Sequence, residues 1–214
     1  MKALIIFART PVKGTVKTRL RSHLSDAKIL SIYKSFIRKT LATCLRVRGA
    51  DKFIGCTPTK DSDFFNELVR IHNIKCFNQK GKNLRDRVVN AFEDCFKQGY
   101  KEIVLIGSDS PTIPLEYLKK AFSELRRNDI VVGPCCDGGL YLIGAKGRKA
   151  PGILRNIQLE TGEDVNVLLK KINEAHVNSF ILPFWYDVDT TEDLNFSNNH
   201  AIYLKRKKLN PIRR

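Results

Sequence analysis

The chain has 214 residues, 43% of them hydrophobic and 28% charged, and its 38 Lys and Arg against 22 Asp and Glu give a formal net charge of +16. Such a chain can bury one substantial core, and one domain is expected rather than two. No run approaches the ~18 apolar residues of a membrane span, and residues 3–8 are too short for the core of a leader peptide, so a cytoplasmic protein with no membrane partner is expected.

Residues 2–8 (KALIIFA) predict a buried first strand, followed by a basic loop with Gly and Pro at residues 9–20 (RTPVKGTVKTRL). Ser25 is placed to cap a helix, with Asp26 near its positive end. Leu30, Tyr33, Ile37, Leu41 and Cys44 then recur at helical spacing up to Gly49. Residues 53–56 form a second strand. Asp61 or Ser62 caps a helix carrying Phe64, Phe65, Leu68 and Val69, and residues 74–77 form a third strand. The polar loop at 78–83 leads to a helix with Leu84, Val88, Ala91, Phe92 and Cys95 on one face and Gly99 as its C-cap. Residues 103–106 are apolar and favour a strand buried on both faces. Gly107-Ser108-Asp109-Ser110-Pro111 ends that strand, and Pro114 suits the first turn of a helix with Leu118, Phe122 and Leu125 inward.

Residues 130–133 and 140–143 are strands around the turn at 134–139, the second a hairpin partner of a neighbour. The stretch 146–162 carries at most a short helix near 153–156. A helix follows at 163–175, then a strand at 179–182. A last helix is capped by Thr190 or Thr191, with Glu192 and Asp193 in its first turn. Strands and helices alternate nearly throughout, which predicts an α/β fold: a mainly parallel sheet with helices on both faces. Residues 1–204 form a single domain, and 205–214 (KRKKLNPIRR) form a basic tail, mobile in part.

Three charged loops follow strands, at residues 9–21, 108–111 and 186–189. In a parallel sheet all three fall at the carboxyl edge of the strands, where open α/β sheets bind ligands. The first offers Arg9, Lys13, Lys17, Arg19 and Arg21, with Gly14 permitting close backbone approach, a set suited to phosphate or pyrophosphate. It is neither a P-loop nor a GxGxxG turn, and a basic composition alone would also give a solvated basic loop. Asp109 is either a functional carboxylate or a turn former. Asp109, Asp187 and Asp189 suit Mg2+ or Mn2+ held together with phosphate oxygens and water. Asp187 and Asp189 share a face of an extended segment, although carboxylates ahead of a helix are favourable without any ligand. Asp137-Gly138-Gly139 is either an acceptor-side element, with Asp137 as hydrogen-bond acceptor or base, or a hairpin turn. The histidines are scattered and receive no role. Tyr141 and Trp185 read as core or rim. The six cysteines lack CxxC and nearby His spacing, so they read as reduced thiols rather than zinc ligands.

FARTPVKGTVKTRL (7–20), LIGSDSPTIP (105–114), GPCCDGGLYLIG (133–144) and LPFWYDVDTTEDL (182–194) carry a resemblance in order and spacing. The chain resembles a bacterial GT-A-like glycosyltransferase family of the arsenosugar-biosynthesis, radical-SAM-associated type, related to the molybdopterin and 2-phospholactate guanylyltransferases. The resemblance implies a nucleotide-diphospho-sugar transferase fold, a Rossmann-like three-layer sandwich. It implies a nucleotide or nucleotide-sugar donor over the first loop, a small-molecule acceptor, and Mg2+ or Mn2+. Lys17 and Arg19 would touch phosphates, Asp109 would be the metal-binding and catalytic aspartate, and Asp187 and Asp189 the second acidic pair. Asp137, Gly138 and Gly139 would line the acceptor side. The chain departs from the family pattern at Gln79-Lys80-Gly81-Lys82-Asn83-Leu84, where members have Gln-Gly-Gly-Asp-Leu-Gly. It departs again at Gln158-Leu159-Glu160-Thr161, where only Thr161 fits a Trp-Ser-Thr segment. The implied reaction is glycosyl transfer; nucleotidyl transfer onto a phosphorylated acceptor is the alternative on nearly the same site. A nucleic-acid-binding module would rest on charge alone, with no recognition motif to support it. The sequence sets no oligomeric state.

Overall fold

The structure is a computed structural model that describes residues 1–209. Its strands are β1 (Lys2–Arg9), β2 (Asp51–Thr57), β3 (Lys75–Asn78), β4 (Glu102–Gly107), β5 (Ile130–Pro134), β6 (Leu140–Lys146) and β7 (Ser179–Ile181). Its helices are α1 (Asp26–Leu45), α2 (Asp63–His72), α3 (Leu84–Lys97), α4 (Leu115–Glu124), α5 (Lys149–Leu154), α6 (Asp164–Glu174) and α7 (Thr191–Leu209). The strands form one sheet in the order β3-β2-β1-β4-β6-β5-β7. Every neighbouring pair is parallel except those made by β6, which runs antiparallel between β4 and β5. This is the expected mainly parallel α/β sandwich.

The strand period sorts the core into two layers. In β1, Leu4, Ile6 and Ala8 face one side, where Val104 and Ile106 of β4 meet α1, α2 and α4. Ala3, Ile5 and Phe7 face the other side, where Ile103 and Leu105 meet α3, α5 and α6. Strands buried on both faces must be apolar along their length, which is why β1 and β4 read as continuous hydrophobic runs. Full burial of a Leu, Ile or Phe side chain contributes about 1.5–3 kcal/mol, so these central strands form a stiff frame for the loops that leave them.

Local signals set the helix starts. Ser25 accepts from Lys28 N at 3.4 Å and Ser62 from Phe65 N at 3.3 Å, so the cap of α2 is Ser62 and not Asp61. Thr190 and Asp193 exchange bonds at the head of α7: Asp193 N donates to Thr190 Oγ1 at 3.2 Å, and Thr190 N to Asp193 Oδ2 at 2.9 Å. Reciprocal capping of this kind satisfies two donors that the first turn leaves unpaired.

Two expectations are corrected, and the end of the last helix is fixed. The short helix in the stretch 146–162 is α5 at Lys149–Leu154, not near 153–156. Pro151 is tolerated because it lies in the first turn, where its missing N–H has no intrahelical acceptor, and Ala150, Pro151, Ile153 and Leu154 are buried. Pro114 sits just before α4 with extended geometry (φ −66°, ψ 136°) rather than inside its first turn. Helix α7 continues through Leu209, so the first half of the basic stretch 205–214 is helical backbone; the rest of that stretch lies outside the described residues.

Gly133 of β5 packs tightly against β6. A Cβ there would lie 2.6 Å from Tyr141 Cζ and 2.7 Å from Leu142 Cβ. Tyr141 is buried and its hydroxyl donates to Pro183 O at 2.9 Å. Gly133→Ala is therefore expected to cost about 1–3 kcal/mol by overpacking, read as a lower urea midpoint; an unchanged midpoint would contradict the close packing described.

Candidate active site

Strands β1 and β4 are adjacent and parallel, with Phe7 opposite Gly107, so the loops after them leave the sheet side by side. The third charged loop begins at the far edge, after β7. It reaches the other two because the extended segment after β7 runs back across the strand ends. Leu182 N donates to Val132 O at 2.8 Å, Trp185 N to Pro134 O at 3.1 Å, and Val188 N to Asp109 O at 2.9 Å. Val188 is fully buried and anchors the segment. Thr112 Oγ1 donates to Tyr186 Oη at 2.6 Å, and that hydroxyl lies 2.8 Å from His200 Nδ1 on α7.

Lys17 joins the three loops. It holds a left-handed backbone (φ 47°) ahead of a 3₁₀ turn at Thr18–Ser22, between the buried side chains of Val16 and Leu20. A left-handed non-glycine residue costs about 1–2 kcal/mol, and such strain often marks a functional position. Lys17 Nζ is 3.0 Å from Asp109 Oδ1 and 2.6 Å from Asp189 Oδ1, and its side chain is only 6% exposed. Burial works against its charge, yet the carboxylates of Asp109 and Asp189 outweigh it and hold the ammonium above the ordinary lysine range. Arg19 is exposed, with Nη1 3.7 Å from Asp189 Oδ2.

Asp187 is the third acid. Ser110 Oγ donates a short hydrogen bond to its Oδ1. Burial first, then the charge of Asp109, pushes the Asp187 pKa up to about 7, against the opposing effects of Ser110 and Lys17. Behind the acids stands Tyr33 of α1. Its oxygen accepts from Arg9 N at 2.8 Å and lies 3.2 Å from Ser108 Oγ, which in turn reaches Asp109 Oδ1 at 3.5 Å. Burial and the nearby Asp109 raise the Tyr33 pKa to about 12, so its hydroxyl stays protonated. In the sequence Tyr33 reads only as a core residue of a helix. The available signal is that a buried tyrosine needs a partner for its hydroxyl.

The remaining expected residues divide. Arg9, at the end of β1, and Lys13, on the loop after it, are exposed. Arg21 braces the loop instead: Nη2 donates to Gly14 O at 2.7 Å and Nε to Asp26 Oδ1 at 2.9 Å. Gly14 has φ 79°, and a Cβ on it would come within 3.0 Å of Arg21 Nη2, so its freedom serves this fold of the loop. Asp137-Gly138-Gly139 is a turn, as one of its two readings holds. Asp137 Oδ1 accepts from Gly139 N at 3.0 Å. Gly138 (φ 86°) packs its α-carbon on Gly162, whose carbonyl a side chain would overlap, and Gly138 O accepts from Val165 N at 3.1 Å. Gly138 thus serves chain-to-chain contact, and the exposed Asp137 has no hydrogen bond to the Lys17 centre among the described residues.

Both segments in which the chain departs from the family pattern hold residues with local work. Asn83 Oδ1 caps α3 by accepting from Asp86 N at 2.9 Å. Thr161 donates to the buried Asp164 carboxylate through N at 2.9 Å and Oγ1 at 2.8 Å.

Among the described residues no three His, Cys, Asp or Glu side chains converge to hold a metal ion by themselves. The ammonium of Lys17 binds two of the acids instead. The donor set nevertheless fits a hard divalent cation held in the manner of Mg2+, by one or two carboxylates completed with substrate oxygens and water.

Residues 40–161 match the family described as an uncharacterized protein conserved in bacteria, DUF2064. The chain belongs to the DUF2064 family. No curated protein matches this DUF2064 chain by sequence. Among solved structures, it is similar to a proposed nucleotide-diphospho-sugar transferase from Desulfovibrio desulfuricans G20, at 31% identity and a TM-score of 0.83, over 91% of this chain and 84% of that one. Two more distant structures share the fold. One is CMP:2-keto-3-deoxy-manno-octonic acid synthetase complexed with CTP, at 14% identity and a TM-score of 0.59, over 94% of this chain and 99% of that one. The other is molybdopterin-guanine dinucleotide biosynthesis protein A from Archaeoglobus fulgidus, at 14% identity and a TM-score of 0.56, over 95% and 100%. The DUF2064 chain therefore has the nucleotide-diphospho-sugar transferase fold, as its sequence motifs imply. No helix among the described residues is long and apolar enough to cross a membrane.

The raised Asp187 pKa has a signed consequence. Between about pH 4 and pH 7 the folded chain retains a proton on Asp187 that the unfolded chain has released. Its contribution to stability therefore falls as pH rises through that window and levels off above it. Without divalent cations, Asp187→Asn is expected to flatten this fall and to raise Tm at pH 8 by a few degrees in thermal unfolding. Parallel Tm profiles for variant and parent would contradict the assignment.

Proposed function

We propose that this chain is a transferase that moves a glycosyl group from a nucleoside-diphosphate sugar to a small-molecule acceptor with the help of Mg2+ or Mn2+. One observation carries the reading: Lys17 ties together Asp109 and Asp189 from separate loops at the carboxyl edge of the sheet. A buried cation, acids and exposed arginines at that edge suit a diphosphate better than a neutral ligand. The likeness to the proposed nucleotide-diphospho-sugar transferase and the four sequence motifs support the same class.

In this reading Arg9, Lys13 and Arg19 meet the donor's phosphates over the first loop, with Gly14 shaping that loop. Asp109, with Asp187 or Asp189, would hold the divalent cation. When bound, that ion supplies Lewis-acid stabilisation of charge gathering on the leaving diphosphate. Asp137, on the exposed turn with Gly138 and Gly139, accepts the proton of an acceptor hydroxyl as that oxygen bonds to the anomeric carbon. The bond from that carbon to the diphosphate breaks, and its electron pair leaves on the diphosphate oxygen. Ser110 and Tyr33 keep Asp187 and the Asp109 loop in place through their hydroxyls. Kinship with the arsenosugar-biosynthesis type of glycosyltransferase and a cytoplasmic setting belong to this proposal; the six free cysteines accord with the latter.

Nucleotidyl transfer is the second reading, favoured by the like-folded synthetase complexed with CTP and the molybdopterin-guanine dinucleotide protein. There a phosphorylated acceptor attacks the α-phosphate of a nucleoside triphosphate. Chromatography of the products separates the two: released nucleoside diphosphate marks glycosyl transfer, and released pyrophosphate marks nucleotidyl transfer. In either case Asp109→Asn is expected to lower kcat/KM by about 100-fold or more, the scale of losing one preorganised electrostatic group. Retention of parental activity would remove Asp109 from the centre.

A further inference from the structure

Two oxygens, one on Asp109 and one on Asp189, are committed to the same ammonium. Those are atoms that a divalent cation at this centre would use. We propose that Lys17 is the built-in counter-ion of the acidic site, which it yields to the metal, so that ammonium and divalent cation occupy the two carboxylates alternately. The inference rests on the reading of this centre as a metal-assisted diphosphate site.

The chemistry favours alternation over sharing. Three carboxylates stand in the cluster, and among the described residues the buried cation Lys17 pairs with two of them; Arg19 reaches Asp189 only at 3.7 Å and is 76% exposed. A doubly charged ion on the same oxygens neutralises them more fully, and at this separation it would repel an ammonium strongly in a poorly solvated setting. The acids are open to such an ion: Asp109 and Asp189 are 38% and 37% exposed, whereas Lys17 is 6% exposed. Lys17 is also able to leave. Its ammonium is a compact charge on a flexible four-carbon stem, and the contacts of Nζ described here are to the two carboxylates that the ion would take over, those of Asp109 and Asp189.

A displaced Lys17 needs a new partner, because a desolvated, unpaired ammonium is costly. The incoming diphosphate provides one, drawn to the same loop by the exposed Arg9, Lys13 and Arg19. Metal and diphosphate then favour each other. Each removes one side of the ion pair that blocks the other, and by linkage the coupling is reciprocal. In the free chain Lys17 keeps the acids paired and metal affinity low; saturating ion displaces it, and the donor lowers the ion concentration needed to do so.

The test uses Mn2+ and Mg2+ alone, on the full chain without nucleotide. Calorimetric titration with Mn2+ compares the parent with Lys17→Gln, which keeps much of the side-chain length and removes the charge. The variant is expected to bind Mn2+ about tenfold or more tightly, as expected on removing an opposing charge at this range. In the parent protein, acetic anhydride labelling with peptide mass mapping reports Lys17 separately from Lys13. Lys17 is expected to be protected alone and to react several-fold faster at saturating Mg2+, a readout that does not depend on the variant folding. Equal Mn2+ affinities, or Lys17 labelling unchanged by Mg2+, would overturn the exchange. If a nucleoside diphosphate still gives a thermal shift in that case, the donor-site reading survives without it. If no nucleoside diphosphate binds under any condition, that reading fails as well.

Discussion

The pairing of one buried ammonium with carboxylates from two loops is the interaction on which the site depends. Unpaired, the Lys17 charge could not remain where it is, because burial of an isolated cation costs far more than a loop can repay. Paired, it draws residues from three distant parts of the chain to one point. The left-handed turn at Lys17 fits this view: the local cost is accepted where a specific side-chain placement is needed. The same pairing leaves Asp187 under-compensated, and its raised pKa follows from burial beside like charges rather than from anything intrinsic to its loop.

The remainder of the fold works as a frame for that point. Continuous apolar strands set β1 and β4 rigidly side by side. The insertion of antiparallel β6 pushes β5 and β7 outward, so the acids after β7 must return across the strand ends. Backbone bonds to Val132, Pro134 and Asp109 carry them back. Hydroxyls then fix the approach: Tyr141 on Pro183, Thr112 on Tyr186, Ser110 on Asp187, and Tyr33 on the Arg9 amide. Each is a polar tip on a side chain whose body is in or near the core, so core packing and site geometry are coupled.

Much of this is legible in the sequence. The all-apolar runs, the caps at Ser25 and Ser62 and the alternation of elements predict the sheet. Parallel strands then predict that Lys17, Asp109 and Asp189 share an edge, and the structure joins them. What is illegible arises from tertiary contact. Nothing in the spacing of α1 tells that Tyr33 turns its hydroxyl toward the loop of β4. Asp-Gly-Gly marks a turn, but that Gly138 is needed by the Gly162 carbonyl depends on a segment more than twenty residues away. The helix α5 is obscured because Pro151 and Gly152 are breakers in most contexts and are accepted here in a first turn. Lys17 reads as a phosphate ligand, and only the three-dimensional placement of the acids shows it engaged with them in the free chain.

The central claim is that three loops meeting on Lys17 form a nucleoside-diphosphate and metal centre at the carboxyl edge of β1 and β4. Crystals soaked with Mn2+ and a nucleoside diphosphate test it most directly through an anomalous difference map. The account predicts a manganese peak against Asp109 and one of Asp187 or Asp189, with the diphosphate over residues 9–21 and Lys17 turned from the acids to a phosphate oxygen. A nucleotide bound away from residues 9–21, or manganese that avoids all three aspartates, would contradict it.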